Sequence, residues 1–376
     1  MTLDQLETPR LVLDEARLEA NLARMARHLA GRAGLRPHMK TAKSAEVAHR
    51  ALEGQFGGIT VSTLKEAEQF LGAGVRDLLY AVGVVPGKLE QVAALQDRGA
   101  DLTVVLDSAQ NARAVAQRAE GLGIRLPVLI EVDTDGHRSG VGPDAPELLE
   151  IARILHAHPA TELRGVMTHA GESYNRRSVE AIAALAEQER LGVVGPAERI
   201  RAAGLPCPVV SVGSTPTALL GRSLEGVTEV RAGVYMFFDL VMAGLGVCGL
   251  DEIALSVTCT VIGHQPEKGW VITDAGWMAM SRDRGTAKQP TDQGYGLVCD
   301  LEGRPFGDLI VADASQEHGI ITHRRGERFD LGAFPVGRVL RVLPNHACAT
   351  AAAHPAYQVV RSDTEVRAVW ERFGFW

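Results

Sequence analysis

The sequence of 376 residues has little of several features that mark particular classes of protein. Aromatic residues make up 5% of it, and its five cysteines are odd in number and widely separated. A disulfide framework is therefore not expected, and a reducing, cytoplasmic environment is predicted. No apolar run approaches a membrane span, and the acidic start MTLDQLETPR lacks the apolar core of a signal peptide. The 39 lysines and arginines are outnumbered by 46 aspartates and glutamates, so no basic surface for nucleic acid is expected.

What the sequence does contain is a repeated alternation of two kinds of segment. Through the first two thirds of the chain, short runs rich in β-branched residues alternate with helical stretches rich in Ala, Leu, Glu and Arg. Eight such units over about 210 residues predict a parallel (β/α)8 barrel. An open doubly wound sheet is the alternative, but no G-x-G-x-x-G motif follows the first run. The runs end at or surround the following residues: Lys40, Thr63, Val82, Asp107, Asp133, His169, Gly213 and Tyr235.

The character of the sequence changes after about Leu245. Strand-like runs joined by short Gly-rich or polar links follow, with little helix, which predicts a separate β domain. The segment RLVLD at 10–14 forms a strand before any helix and is expected to join that domain. The predicted division is a barrel over 20–244 and a β-rich second domain made of 1–19 and 245–376.

Functional side chains of such a barrel lie at the C-terminal ends of its strands. The segment LRPHMKTAK places Lys40 at the end of the first run, where a partly desolvated amine would be a nucleophile. The alternative is a solvated lysine at the start of a helix. Lys43, one turn into that helix, is expected to have a structural role. His38, on the same strand face as Lys40, is a candidate neighbour that tunes the amine.

Two late loops are candidates for binding a phosphate group. SVGSTPT at 211–217 and RAGVYMF at 231–237 offer backbone N–H groups and small hydroxyls after the last two runs. Two tight turns without a ligand are the alternative. An amine at one strand end and a phosphate cradle at the last two indicate pyridoxal 5′-phosphate (PLP), which an imine and its phosphate hold in place.

Two further residues at the mouth of the barrel could contact that cofactor. Arg138, in DTDGHRSG after the fifth run, could hydrogen-bond the phenolic oxygen, or it could be a surface arginine in a Gly-rich loop. His169, in MTHAG at the end of the sixth run, could stack on the pyridine ring. Its alternative is a histidine that hydrogen-bonds at the mouth without touching a ligand.

The second domain carries a candidate metal pair. PNHACAT contains His346 and Cys348, and on a strand residues two apart face the same way, so imidazole and thiolate could share a Zn²⁺ ion. Two side chains that bind no metal are the alternative. SQEHG places Glu317 and His318 in a predicted loop, where they could contact substrate, lie beside a metal site, or be ordinary loop residues.

Several motifs together resemble one known family. TPRLVLDEARLEANLARM, LRPHMKTAK, EVDTDGHRSGV, GVMTHAGESY, AGVYMFFD, DAGWMAMSRDRG, QEHG and LPNHACAT occur in the order found in the D-serine dehydratase / D-threonine aldolase family. These are PLP enzymes of the alanine-racemase-like fold. The resemblance covers nearly the whole chain and therefore implies a (β/α)8 barrel with a C-terminal β domain.

The resemblance also implies roles for individual residues. Lys40 of the P-H-x-K motif would carry PLP, and Arg138 would lie near its phenolic oxygen. His169 stands where relatives often have Tyr, and stacking remains its implied role. The implied metal ligands are His346 and Cys348, and a homodimer is implied because members are typically dimers. The implied phosphate-binding residues are Gly213, Ser214, Thr215, Gly233 and Tyr235.

The function implied is a metal-assisted PLP lyase acting on D-3-hydroxy amino acids. Aldolase-like members tend to have H-x-D, whereas eukaryotic-type D-serine dehydratases have H-x-C with zinc. The H-x-C pair here favours a D-serine (D-threonine) dehydratase that yields a 2-oxo acid and ammonia, with Zn²⁺ rather than Mn²⁺ or Mg²⁺. In that route Lys40 removes the α-proton, and the metal takes the β-hydroxyl. The alternative is a D-threonine aldolase that yields glycine and an aldehyde, with His318 or a metal-bound water as the base.

Two other functions share this fold. An amino-acid racemase would not need the metal, and a non-catalytic PLP-binding protein usually lacks a β domain. The substrate is expected to be a small D-amino acid, with neither nucleic acid nor membrane as a partner. The sequence leaves open whether the second domain completes the site of its own barrel or that of a partner subunit.

Overall fold

A computed structural model of the protein describes residues 1–374 and divides them into two compact units. The β unit combines Met1–Arg24 with Val234–Gly374, and the barrel unit is Met25–Gly233. The chain starts in the β unit with strand β1 (Arg10–Asp14). Helix α1 (Glu15–Leu29) then carries the chain into the barrel unit.

The barrel unit is built on eight parallel strands. From β3 to β9 each strand pairs with the next along the chain, and β9 pairs with β2. Between β2 and β3 there is a single bridge, His38 to Thr60, next to a 2.8 Å hydrogen bond from Met39 N to Thr60 O. The barrel is thus nearly closed, and the predicted (β/α)8 fold is confirmed. Its strands are β2 (Gly34–Pro37), β3 (Ile59–Val61), β4 (Asp77–Gly83), β5 (Asp101–Leu106), β6 (Leu126–Glu131), β7 (Thr161–Met167), β8 (Val209–Val212) and β9 (Glu229–Ala232).

Helices on the outside of the barrel follow from polar caps and apolar faces. The hydroxyls of Thr63, Ser108, Ser178 and Ser214 each accept the backbone N–H three residues later, which satisfies a free donor at a helix start. Thr63, expected at the mouth, is therefore a helix cap. The helices are α2 (Ala45–Leu52), α3 (Leu64–Gly72), α4 (Leu89–Asp97), α5 (Ala109–Leu122), α6 (Glu147–Ala157), α7 (Val179–Ala202) and α8 (Thr215–Leu220).

Two strands of the barrel end earlier than the sequence suggests. The first was predicted to reach Lys40, but β2 ends at Pro37, and the chain then turns so that Lys43 N bonds Met39 O at 2.8 Å. The last was predicted to include Tyr235, but β9 ends at Ala232 and Val234–Met236 form a 3₁₀ helix. Past Pro37, His38 N and Met39 N still donate to Ala232 O and Thr60 O of the neighbouring strands, and the chain turns only after Met39. Past Ala232, the local hydrogen bonds of the 3₁₀ helix replace those of the sheet.

The β unit contains a second, antiparallel barrel. Six of its strands pair in the order β11-β14-β13-β12-β15-β10, and β10 pairs back to β11. Strand β1 joins this sheet beside β10, as the sequence predicts, and β16 and β17 extend it. The elements are α9 (Leu240–Gly244), β10 (Leu255–Gln265), β11 (Trp270–Thr273), α10 (Trp277–Met280), β12 (Gly296–Cys299), β13 (Pro305–Ala314), β14 (Gly319–His323), β15 (Val339–Pro344), α11 (Ala347–Ala351), β16 (Ala356–Val360) and β17 (Ala368–Glu371).

Helix length and hydropathy bear on membrane insertion. Across residues 1–374, none of the helices is both long enough and apolar enough to cross a bilayer.

Candidate functional site

Five side chains in the barrel unit lie close enough for the charge of one to affect the pKa of another. They are Lys40, His38, His169, Arg138 and Arg231. Burial, then the charges of Lys40 and Arg231, lower the pKa of His38 well below its usual value. Burial, then the charge of Lys40, lowers the pKa of His169 to about 3, with Arg231 and Arg138 acting in the same direction. Four of these residues were predicted from sequence to be near one another, and Arg231 was missed.

The two lysines of the opening motif have different surroundings. Lys40 is exposed, so the expected partial desolvation of its amine by this chain is wrong. The reason is that the strand stops at Pro37 and leaves Lys40 in the turn. Lys43 precedes α2 instead of lying inside it, and its ammonium forms a 3.1 Å ion pair with Glu66, whose side chain is 1% exposed. Lys40 is thus the amine that is open to a ligand.

A hydrogen bond fixes the orientation of His169. Its Nδ1 lies 2.5 Å from the carbonyl oxygen of Gly213, and a carbonyl oxygen can only accept. Because the lowered pKa keeps this imidazole neutral, Nδ1 holds the proton and Nε2 keeps its lone pair. His169 therefore presents a neutral ring whose tautomer is set by the loop after β8.

Gly213 is held by a buried carboxylate that sequence reasoning missed. Glu189, on α7, accepts the N–H of Gly213 at 2.9 Å and that of Ala170 at 3.2 Å, and burial raises its pKa. The N–H of Gly213, which was expected to bind a phosphate, is therefore occupied by Glu189. A side chain at Gly213 would place Cβ 1.9 Å from the carbonyl oxygen of Arg231, so close strand packing requires glycine here. The sequence feature that could have identified Glu189 is its position within the mostly apolar stretch AIAALAEQERLGVV.

Hydroxyl groups gather at the start of α8. Ser214 Oγ lies 2.9 Å from Ser173 Oγ and 2.9 Å from Thr217 Oγ1, and all three residues are buried, as is Thr215. At Gly233, a Cβ would meet the carbonyl oxygen of His38 at 2.8 Å. Of the predicted phosphate-binding set, Ser214 and Thr215 thus bring hydroxyls to one helix N-terminus.

Arg231, on β9, reaches past β8 to the residue that follows β7. Its two terminal nitrogens donate to Ser211 Oγ and to the carbonyl oxygen of Thr168, both at 2.5 Å. Ser211 in turn donates to Glu229 at 2.6 Å. Burial lowers the pKa of Arg231, although the charge of Glu229 opposes that effect. An arginine inside the fully buried strand EVRA was the signal that could have identified it.

Arg138 and Tyr235 complete the predicted cofactor set. Arg138 is exposed in the loop after β6, and its Nη2 lies 3.4 Å from Glu131 Oε1, a buried carboxylate at the end of that strand. Tyr235 is fully buried in the 3₁₀ helix of the β unit, and burial raises the pKa of its phenol. Glu131 was not singled out from the sequence.

The candidate metal pair lies in the β unit, but not on a strand. His346 follows the end of β15, and Cys348 is the second residue of α11, so the expected strand geometry is wrong. The two side chains nevertheless hydrogen-bond to each other, and His346 Nδ1 lies 2.6 Å from Asp283 Oδ2. Burial lowers the pKa of His346, but the hydrogen bonds to Asp283 and Cys348 prevail and raise it to about 11.

Two buried residues hold the segment that carries this pair. Asp239 accepts the N–H of Ala347 at 2.9 Å and that of Met242 at 2.9 Å. Asn345 accepts the N–H of Thr286 at 3.0 Å through its side-chain oxygen. Within residues 1–374 no group of three or more His, Cys, Asp or Glu side chains is arranged to hold a metal ion, so His346 and Cys348 stand as a pair.

His318 lies in the tight turn between β13 and β14. Its carbonyl oxygen accepts the N–H of Ser315 at 2.8 Å, and its imidazole is exposed. Neither an ion pair nor a side-chain hydrogen bond of His318 occurs within the described part of the chain. The structure does not bring it to His346 or Cys348 by any described contact.

Comparison with known proteins identifies the family. The model of the alanine racemase N-terminal domain matches residues 13–241, which is more than half of the chain, and a serine dehydratase domain model matches residues 254–360. The chain belongs to the alanine racemase N-terminal domain family. With both models matched in this order, the resemblance to D-serine dehydratase and D-threonine aldolase enzymes is confirmed.

Individual relatives narrow the relationship. The D-threo-3-hydroxyaspartate dehydratase of Delftia sp. (strain HT23) is 55% identical over 100% of this chain and 99% of its own length. The D-threonine aldolase of Arthrobacter sp is 32% identical over 98% of this chain and 93% of its own. A D-threo-3-hydroxyaspartate dehydratase with one cysteine replaced by alanine, in the metal-free form, is 54% identical and covers 100% of both chains with a TM-score of 0.97. The chain is an enzyme, a lyase of a PLP-dependent family.

Proposed function

We propose that this enzyme dehydrates D-3-hydroxy amino acids, and that D-threo-3-hydroxyaspartate is a better substrate than D-serine or D-threonine. The products are a 2-oxo acid and ammonia. The observation that carries the proposal is the full-length identity of 55% to a dehydratase of that substrate, against 32% to an aldolase. The His346–Cys348 pair agrees with it, since H-x-C is the dehydratase form of the motif.

The residues at the mouth of the barrel unit suit PLP. The exposed amine of Lys40 can react with an aldehyde, and Ser214 and Thr215 supply hydroxyls at the N-terminus of α8 for a phosphate. Gly233 lets the carbonyl oxygen of His38 approach its backbone closely, because a Cβ at this position would meet that oxygen at 2.8 Å. We propose that Lys40, His38, Arg138 and His169 hold the cofactor together with the α8 N-terminus, and that Gly213 acts through its carbonyl oxygen by orienting His169.

Once bound, PLP supplies an electron sink for the electron pair left at Cα of the substrate. Lys40 takes the α-proton from that carbon onto its amine. The ring of His169 stays neutral and in one orientation, because its Nδ1–H donates a hydrogen bond to Gly213 O and its pKa lies far below neutral. The positive charges of Arg138 and Arg231 lie close enough to His169 to influence its titration, and they favour anionic groups there.

The donor set of His346 and Cys348 suits a divalent metal ion. An imidazole and a thiol in hydrogen-bonding contact favour Zn²⁺ over Mn²⁺ or Mg²⁺, which prefer oxygen ligands. Such an ion would supply Lewis-acid stabilisation of the departing β-hydroxyl. Asp283 would orient the imidazole through Nδ1, the arrangement common for metal-binding histidines, and leave Nε2 for the metal.

Aldol cleavage is the second candidate function. The 32% identity to a D-threonine aldolase favours it, and the reaction would need a base for the substrate hydroxyl. We keep His318 as the candidate for that base, although its imidazole is exposed in a turn. A homodimer is proposed from the family resemblance, and light scattering coupled to gel filtration tests it.

Product analysis tests the proposal. The enzyme loaded with PLP and Zn²⁺ receives D-threo-3-hydroxyaspartate, D-serine or D-threonine in separate reactions. Dehydration gives oxaloacetate, pyruvate or 2-oxobutyrate with ammonia, whereas aldol cleavage of D-threonine gives glycine and acetaldehyde. We expect oxaloacetate to form with the highest kcat/KM. Glycine and glyoxylate from the hydroxyaspartate would support the aldolase, and loss of optical rotation without either product set would support a racemase.

A further inference from the structure

A strained turn follows α10 in the β unit. Ser281 has φ 76° and ψ 153°, a backbone region that residues with a Cβ rarely occupy and that tends to occur at functional sites. Its hydroxyl accepts the N–H of Asp283 at 3.0 Å, which helps to hold the sharp turn. The turn therefore fixes where the next two side chains, Arg282 and Asp283, begin.

Asp283 ties this turn to the metal pair. Its Oδ2 lies 2.6 Å from His346 Nδ1, and His346 in turn hydrogen-bonds to Cys348. The backbone of Arg282 is consequently one residue away from a side chain in direct contact with His346. Any substrate group acted on by His346 and Cys348 lies within the neighbourhood of this turn.

Arg282 is a cation without a carboxylate partner. Among residues 1–374 no carboxylate lies within ion-pair distance of it, and its guanidinium carbon lies over the ring of Trp277, 4.9 Å from the ring centroid. A cation–π contact of this kind does not need the hydrogen-bonding capacity of the guanidinium N–H groups, which can still donate to a ligand. Arg284, two residues on, differs because its Nη2 is 2.7 Å from Asp292 Oδ2.

We infer that Arg282 binds the side-chain carboxylate of a 3-hydroxy dicarboxylic amino acid, and so gives the enzyme its preference for that substrate class. The inference rests on the proposed function. In 3-hydroxyaspartate the hydroxyl and the second carboxylate are attached to the same carbon. The group that receives the carboxylate must therefore lie beside the residues that act on the hydroxyl. A guanidinium with a free fork matches a carboxylate in two parallel hydrogen bonds.

The inference predicts a change in substrate preference instead of a general loss. Arg282→Met removes both hydrogen bonds and the charge, so kcat/KM for D-threo-3-hydroxyaspartate should fall about 100-fold. D-Serine has no second carboxylate, and its kcat/KM should change by less than about 3-fold. Arg282→Lys keeps the charge but lacks the paired N–H groups of a guanidinium. Its kcat/KM for D-threo-3-hydroxyaspartate should lie between that of the unmodified enzyme and that of Arg282→Met. Arg284→Met is the matched control, because that arginine already has a carboxylate partner.

Binding of unreactive ligands gives a second readout. D-Aspartate carries the second carboxylate but no hydroxyl to eliminate, and D-alanine carries neither. By calorimetry, Arg282→Met should weaken D-aspartate binding by a similar factor and leave D-alanine binding unchanged. Equal losses for both substrates and both ligands, or no loss for D-aspartate, would overturn the assignment. If the unmodified enzyme forms no oxaloacetate, the proposed function fails, and the D-aspartate measurement still decides the role of Arg282.

Discussion

The carboxylate of Asp239 accepts a hydrogen bond from the backbone N–H of Ala347 at 2.9 Å, at the residue between His346 and Cys348. Its other oxygen takes the N–H of Met242, and the side chain is almost fully buried. The position of the H-x-C segment is thus fixed by a residue more than 100 positions earlier in the chain. Preorganised ligands bind a metal more tightly than ligands that must first be ordered.

We predict that Asp239→Asn weakens metal binding. An asparagine has one oxygen and one NH₂ group, so it cannot accept from both N–H groups, and one of the two contacts becomes donor against donor. The dissociation constant for Zn²⁺ should rise about 10- to 100-fold, as measured by competition with a chromophoric chelator. Asp330→Asn is the control, because Asp239 caps α9 and Asp330 likewise caps a short helix in the β unit, in this case a 3₁₀ helix. Equal affinities in the Asp239 variant and the native protein would contradict the prediction.

Lys40 and Lys43 are predicted to have separable roles. Lys40→Ala should abolish covalent attachment of PLP, seen as loss of the visible cofactor absorbance and of the peptide adduct after borohydride reduction. Lys43→Ala should retain the adduct but destabilise the fold by roughly 2 to 4 kcal/mol, because the carboxylate of Glu66 is 1% exposed and would lose an ion-pair partner. Urea unfolding measures this loss. A borohydride adduct mapped to Lys43 would show the assignment to be wrong.

Gly213→Ala is predicted to damage both stability and cofactor binding. Its Cβ would lie 1.9 Å from Arg231 O, so two strands of the barrel would have to separate, at a cost of about 3 kcal/mol. Gly121→Ala is the matched control. Gly121 lies inside α5 with nothing within 4 Å of its ideal Cβ, and alanine there should stabilise the protein by about 0.5 to 1 kcal/mol. Thermal unfolding of both variants, with and without PLP, tests the pair.

The buried, neutral His169 predicts a particular pH dependence in the cofactor-free protein. Its pKa is about 3 in the fold, against 6.5 ordinarily, so the unfolded chain binds the extra proton first as the pH falls. The contribution of His169 to stability is complete above about pH 7 and is lost between pH 6.5 and 3. Over that range the free energy of unfolding falls by at most about 1.4 kcal/mol per pH unit because of this residue.

Comparison with His169→Gln measures that contribution. The stability gap between the native protein and the variant should narrow when urea unfolding is repeated at pH 4.5 instead of pH 7. His38 is present in both proteins, but the charge of His169 helps to lower the pKa of His38, so the difference reports His169 together with its effect on His38. NMR of labelled histidines gives a direct check, and a pKa of His169 near 6.5 would refute the prediction.

Local sequence was sufficient to predict the barrel and to place Lys40 at its mouth. Buried β-rich runs alternating with amphipathic helices predicted the strands, and Lys40 was placed at the mouth from its position after the first run. The errors concern strand ends. The chain turns after Met39 and after Ala232, where Lys43 N bonds Met39 O and Phe238 N bonds Val234 O, and nothing in the local composition specifies those hydrogen bonds.

The sequence by itself determined the periodicity of the elements, the order of the two domains, and the residue types available for chemistry: an amine, an imidazole and an H-x-C pair. Only the tertiary structure decided which backbone groups those residues can use. Glu189 occupies the N–H of Gly213, Asp239 holds Ala347, and Asp283 orients His346. Each of these carboxylates is distant in sequence from its partner, and the folding of the whole unit brings them within hydrogen-bonding distance. Periodicity along the chain reports burial of a face, but it carries no information on such long-range pairings.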